Sequence, residues 1–199
     1  MRFDVSIRKR FPDAEVAASF ASDSALTVLF GPSGAGKSSV LNMIAGLVRP
    51  DEGWVRIDGV ALFDSATDVP AEARRIGYVF QEPRLFPHMR VRDNLLYGRP
   101  HDRRLGNEID FLGIGHLLDR WPATLSGGEA KRVAIGRALL RNPAVLLLDE
   151  PLASLDRARR EEVMQVIERL RDEVRLPILL VTHDHAEAER LGGRIVEIG

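Results

Sequence analysis

At 199 residues the chain suits one domain and is long enough to bury a real hydrophobic core. Its 28 Lys and Arg against 29 Asp and Glu leave a net charge of -1, which gives no overall electrostatic footprint for nucleic acid. Without cysteine it has no disulfide framework, thiol catalysis or cysteine-ligated metal, as fits a cytosolic protein. The first residues alternate charged and apolar, unlike a leader, and no apolar run reaches the roughly twenty residues that cross a bilayer.

Phe3, Val5 and Ile7 alternate with Asp4, Ser6 and Arg8, which predicts a half-buried strand, and a second strand is expected over residues 15–20. Residues 25–30 are a short apolar run, followed by Gly31-Pro32-Ser33-Gly34-Ala35-Gly36-Lys37-Ser38 and then by helical spacing over 39–47. A turn cluster covers 49–53, a strand is expected over 54–58, and 64–73 is polar and loop-like. Residues 76–80 form a compact apolar strand that delivers Gln81 at its C-terminal end. From there the texture changes to short helical pieces broken by Pro83, Pro87, Pro100 and Pro122, a helical subdomain over about 83–127.

A helix is expected over 127–141, ended by Asn142-Pro143. Residues 144–148 are a fully apolar strand with Asp149 and Glu150 immediately after it. An amphipathic helix over 157–174 carries Val163, Val166, Ile167 and Leu170 on one face, and a buried strand over 177–182 leads to His183. A helix over 184–191 and a strand over 194–198 complete the pattern. The fold class is therefore α/β, a P-loop NTPase: one domain over 1–199, with a mostly parallel doubly wound sheet, an N-terminal antiparallel β edge and the inserted helical subdomain.

The chemistry gathers where strands end, which is where ligands sit in open α/β sheets. Gly31, Gly34 and Gly36 permit backbone conformations that turn amide N–H groups around phosphate oxygens, at the start of a helix whose N-terminus adds positive charge. Lys37 can reach the outer phosphates and the Ser38 hydroxyl can ligate Mg²⁺, so the loop is built for a nucleoside triphosphate with Mg²⁺. A buried carboxylate at Asp149 is costly unless a cation meets it, directly or through water. Glu150 is then placed to polarise an attacking water, as general base or orienting group. His183 can hydrogen-bond a terminal phosphate oxygen or that water, and Gln81 can reach Mg²⁺ or the water; His185 is read as solvated.

Leu125-Ser126-Gly127-Gly128-Glu129 resembles the signature motif of the ABC transporter ATPases. The other motifs follow in that family's order: residues 31–38 are similar to its Walker A loop, Gln81 to the Q-loop, 146–150 to Walker B, Ser154-Leu155-Asp156 to the D-loop and His183 to the H-loop. The resemblance implies a head-to-tail homodimer holding two ATP molecules between subunits. The residues expected against ATP are then Gly31, Pro32, Ser33, Gly34, Ala35, Gly36, Lys37, Ser38, Ser39 and, across the dimer, Ser126, Gly127, Gly128 and Asp156. Ser38, Gln81 and Asp149 are expected against Mg²⁺, with Phe11 as the aromatic on adenine.

Residues 75–88, with Val91-Arg92-Asp93-Asn94-Leu95, Tyr97-Gly98 and Leu117-Leu118-Asp119-Arg120, are similar to the molybdate importer ATPases. That similarity implies a transmembrane permease seated on Arg84, Leu85, Phe86, Pro87 and His88, a periplasmic or extracellular solute-binding protein in the same system, and a place on the cytoplasmic face of the membrane. An importer ATPase for sulfate, iron or a polyamine stands next to it, and a soluble ABC protein acting on nucleic acid further off. A GTPase switch lacks its Asn-Lys-x-Asp guanine-reading motif. Two departures stand out. The family's C-terminal oxyanion-binding regulatory domain is not expected within 1–199, and Ala130-Lys131 replace the family's usual Lys-Gln.

Overall fold

In the computed structural model residues 1–98, 106–174 and 176–199 are described; Pro100, read as one of the helix breakers, lies outside them. Alternating and non-alternating apolar runs build two different sheets. The alternating strand Phe3–Phe11 (β1) buries Phe3, Val5 and Ile7 and pairs antiparallel with Ala14–Ser22 (β2) and Glu52–Ile57 (β4). Val60–Phe63 (β5) completes a four-stranded sheet in the order β2-β1-β4-β5, so the N-terminal antiparallel edge is a sheet in its own right. The sequence reading had no β5. Asp58 and Gly59, at φ 46° and 78°, make the two-residue hairpin turn that Asp-Gly favours, and four residues are too few for alternation to register.

The strands Leu26–Phe30 (β3), Ile76–Val79 (β6), Val145–Asp149 (β7), Ile178–Thr182 (β8) and Arg194–Glu197 (β9) form a sheet in the order β6-β7-β8-β3-β9, with every neighbouring pair parallel. In the inner strands β3, β7 and β8 alternation is absent because both faces are covered. Val145 and Leu147 enter one core with helix Lys37–Ala45 (α1) and the inner face of the antiparallel sheet. Leu146 and Leu148 enter the other, with Val91–Leu96 (α2), Asn107–Leu112 (α3), Gly127–Leu139 (α4), Arg157–Glu173 (α5) and His185–Leu191 (α6). Among the described residues no helix is long and apolar enough to cross a membrane.

Two buried polar residues fix the loops around the site. Asn94 on α2 is fully buried; its Oδ1 accepts from the Phe86 N–H at 2.8 Å, and its Nδ2 lies 3.0–3.2 Å from the carbonyls of Phe86, Met89 and Arg90. One side chain thereby shapes the segment after Gln81. Arg74, just past the stretch read as a polar loop, is also buried and donates to the carbonyls of Val69, Met43 and Ile44 at 2.7, 3.1 and 2.8 Å. Met43 and Ile44 belong to the last turn of α1, whose carbonyls have no partner within the helix. Arg74→Met fills the space but takes the donor from the Ile44 and Val69 carbonyls, while Met43 keeps the Gly46 N–H at 3.1 Å, so a loss of about 3 kcal/mol is expected. For a chain of this size that lowers the midpoint of thermal unfolding by roughly 6–12 °C, as calorimetry would read. An unchanged midpoint would show that water satisfies the helix end.

Candidate active site

The phosphate-loop residues lie between β3 and α1. Gly34 and Gly36 both have φ 85°, and Gly36 is the N-cap of α1, so two of the three glycines supply the left-handed backbone expected of them. Gly31 does not. Its requirement is space: a β-carbon there would stand 2.1 Å from the Ile198 carbonyl oxygen. α1 has no side-chain cap and no acid in its first turn, which leaves its first N–H groups for an incoming anion. Lys37 is buried and folds back on the loop, its Nζ donating to the carbonyls of Gly31 at 2.8 Å and Pro32 at 2.7 Å. Pro32, Ser33 and Gly34 are exposed, with Ala35 and Ser39 half-buried.

Ser38 and Asp149 come together from residues far apart in sequence. The Ser38 hydroxyl donates to Asp149 Oδ1 at 2.8 Å, and the Tyr78 phenol lies 3.3 Å from Oδ2 and 3.1 Å from Asn42 Oδ1. Burial raises the Asp149 carboxyl above its ordinary value, against the two hydroxyls that lower it. Burial first, then the Asp149 charge, drives the Tyr78 phenol well above its usual range, so it stays a proton donor to this carboxylate. Tyr78 and Asn42 were not singled out from the sequence. The available signal was a hydroxyl-tipped aromatic near the C-terminal end of an otherwise apolar strand.

Glu150 follows β7 with φ 43°, a conformation costly for a side-chain-bearing residue, and its N–H is fixed to the Val181 carbonyl at 3.1 Å. Its Oε2 is 3.2 Å from His183 Nδ1, so the two residues expected at the attacking water are adjacent. Behind His183, Thr182 donates to the buried Glu187 carboxylate at 2.6 Å. Gln81 is exposed and lines two cavities. One, of about 980 Å³, also holds Ser38, Asn42, Lys131 and Asp149; the other, of about 360 Å³, holds Ser33, Glu150 and His183. His185 is exposed, as read, and meets the Phe30 ring edge-on at 5.3 Å.

Ser126 caps α4 in a reciprocal capping box: the Ser126 N–H donates to the Glu129 carboxylate at 2.7 Å and the Glu129 N–H to Ser126 Oγ at 3.3 Å. The next two residues have little room for side chains. A β-carbon on Gly127 would meet Leu155 at 3.0 Å, and one on Gly128 would meet Arg159 at 3.1 Å. Asp156 caps α5 through the Arg159 N–H at 3.0 Å and pairs with the Arg159 guanidinium at 3.0 Å. Phe11, at the end of β1, is half-buried and packs on the core that contains Val16. Val16, overlooked in the sequence, is the hairpin residue against the phosphate loop: its Cγ2 is 2.7 Å from where a β-carbon on Gly36 would stand.

The ABC transporter family matches residues 19–153. This chain belongs to that family. The family's curated members include the molybdenum import ATP-binding protein ModC of Rhizobium meliloti (strain 1021), 52% identical over 98% of this chain and 57% of its own length. ModC of Brucella abortus (strain 2308) is 53% identical over 96% of this chain and 55% of its own. The chain thus spans a little over half the length of these relatives. Among solved structures it resembles the dimeric ATP-binding cassette MJ0796 in a post-hydrolysis state bound to ADP and phosphate, with TM-score 0.77, 30% identity and coverage of 99% of this chain and 93% of that one. It also resembles cbiO1 of Clostridium perfringens, part of the ABC transporter complex cbiONQ, at TM-score 0.81 and 26% identity over 100% of this chain and 85% of that one. The two-sheet α/β architecture is the ABC cassette fold.

Proposed function

We propose that this chain is the ATP-hydrolysing unit of an ABC importer for molybdate or tungstate, and that it works as a homodimer with two ATP molecules held between the subunits. The observation that carries the hydrolytic reading is the pairing of Glu150 with His183 at 3.2 Å beside Ser38 and Asp149, themselves 2.8 Å apart, at the C-terminal ends of parallel strands. In hydrolysis water attacks the terminal phosphorus, a P–O bond forms, the bond to the β-phosphate oxygen breaks, and ADP and phosphate leave. Glu150 takes the proton of that water, His183 hydrogen-bonds the terminal phosphate, and Lys37 exchanges its loop carbonyls for phosphate oxygens.

A Mg²⁺ ion suits the donor set. A hydroxyl and a carboxylate are hard oxygen ligands, and among the described residues no cluster of three or more His, Cys, Asp or Glu offers a cage for another metal. Ser38 and Asp149 would hold the ion, with Gln81 beside them, and it would supply charge neutralisation between the outer phosphates. Ser126, Gly127, Gly128 and Asp156 would face the partner's nucleotide, and Phe11 the adenine. The dimer draws support from the dimeric form of MJ0796, and molybdate from the names of relatives at 52% and 53% identity. Arg84, Leu85, Phe86, Pro87 and His88, on the loop that Asn94 shapes, would receive the permease at the cytoplasmic face, with a solute-binding protein outside.

Co-expression with the permease encoded beside it, followed by pull-down, vanadate-sensitive ATPase assay and uptake of labelled molybdate against sulfate, tests this reading. Retention by the permease with ATP-dependent molybdate uptake is expected. Retention with sulfate uptake alone would replace the solute, and ATPase activity with polynucleotide but no permease binding would replace the transporter.

A further inference from the structure

Lys131 sits on α4, the helix that begins at the signature glycines, and is only 3% exposed. An ammonium group taken out of water needs a partner. Its Nζ donates to the main-chain carbonyl of Gln81, and both residues line the cavity that holds Ser38 and Asp149. Burial lowers its pKa below the ordinary lysine value, and the charges of Asp149, Glu150 and Glu82 oppose that shift in part. Lys131, Glu82 and Asp149 line the same cavity, with Glu150 in the neighbouring one that Gln81 also lines.

The bonded atom gives the contact its consequence. β6 ends at Val79 and the next helix, α2, begins only at Val91; Gln81 opens the non-helical connection between sheet and helices, where the sequence predicted helical pieces from about residue 83. Holding the Gln81 carbonyl fixes the plane of the following peptide and with it the direction in which the Gln81 side chain leaves this connection. The holding group rides on α4, which also grips the residues just beyond through Arg137, a donor to the Pro83 and Arg84 carbonyls at 3.1 and 2.9 Å; Lys131 is the α4 side chain that meets Gln81 itself.

We propose that Lys131 is a positioning residue for hydrolysis: from the signature helix its ammonium holds the Gln81 carbonyl and places one positive charge in the cavity that contains Ser38, Gln81 and Asp149. This rests on the ATP-hydrolysing reading above.

The test is steady-state ATPase kinetics of the purified chain and its K131M, K131R, Q81A and K131M/Q81A variants, with thermal midpoints alongside. K131M is expected to lower kcat by about tenfold with KM for MgATP within about threefold, and K131R to recover most of the loss. Its midpoint should stay within about 3 °C of the parent. If Lys131 acts through Gln81, the double variant is no slower than the slower single one. A K131M kcat within about twofold of the parent, or losses that multiply in the double variant, would overturn the proposal. Should K131M fail to fold, K131Q, which keeps an amide donor without charge, is read by the same criteria. A parent chain without ATPase activity defeats the hydrolytic reading itself, whereas an active parent equalled by K131M defeats Lys131 alone.

Discussion

Replacing Glu150 by Gln is expected to lower ATP turnover by about a thousandfold while ATP affinity stays within about threefold of the parent. The exchange is nearly isosteric. The strained backbone at φ 43° is held by main-chain bonds, the Glu150 N–H to Val181 and the Ala153 N–H to the Glu150 carbonyl, both at 3.1 Å, so the side chain can change without moving the loop. The amide can still contact His183, 3.2 Å from the present carboxylate oxygen. It cannot accept the proton of an attacking water. Chemistry is therefore lost and binding kept, which single-turnover hydrolysis and equilibrium nucleotide binding separate. In the proposed sandwich dimer the variant should also accumulate as a dimer with MgATP, since closure survives and its release does not. Retention of a tenth or more of the parent's turnover would take the proton-accepting role away from Glu150.

The residues of this site differ in how plainly the sequence declares them. The phosphate loop, Asp149, Glu150 and His183 each follow a run of apolar residues, and a parallel sheet brings the ends of such runs to one side. Their proximity was legible before any coordinates. Tyr78 was not, because its meeting with Asp149 depends on the register that sets it opposite Leu147 on the neighbouring strand. Lys131 stands with Arg132 and Arg137 on α4, and composition alone does not say which of these basic residues turns inward. Gly31 shows a subtler gap. The pattern correctly demanded glycine, but the reason is the close approach of Ile198, just past β9 and more than 160 positions later, and only the tertiary fold reveals it.

Gly36→Ala is expected to weaken MgATP binding by roughly a hundredfold, and two separate costs lead to that figure. At φ 85° a side-chain-bearing residue pays about 1–2 kcal/mol for the left-handed conformation. The added methyl would also stand 2.7 and 2.8 Å from the two Val16 methyls, so the β1–β2 hairpin or the loop must move, an overpacking cost of about 1–3 kcal/mol. Since Gly36 is the N-cap of α1, relief by moving the loop displaces the first helical N–H groups and Lys37 together, and these are the groups that would meet the phosphates. A total near 3 kcal/mol corresponds to about a hundredfold in dissociation constant at 1.4 kcal/mol per tenfold. The two costs can be told apart. Val16→Ala removes the methyls in the way but leaves the backbone strain, so the double variant should regain about tenfold of the lost affinity, as titration calorimetry would read. If Val16→Ala restores nothing, the strain at Gly36 alone sets the loss; if Gly36→Ala binds MgATP as tightly as the parent, the phosphates do not sit on this loop.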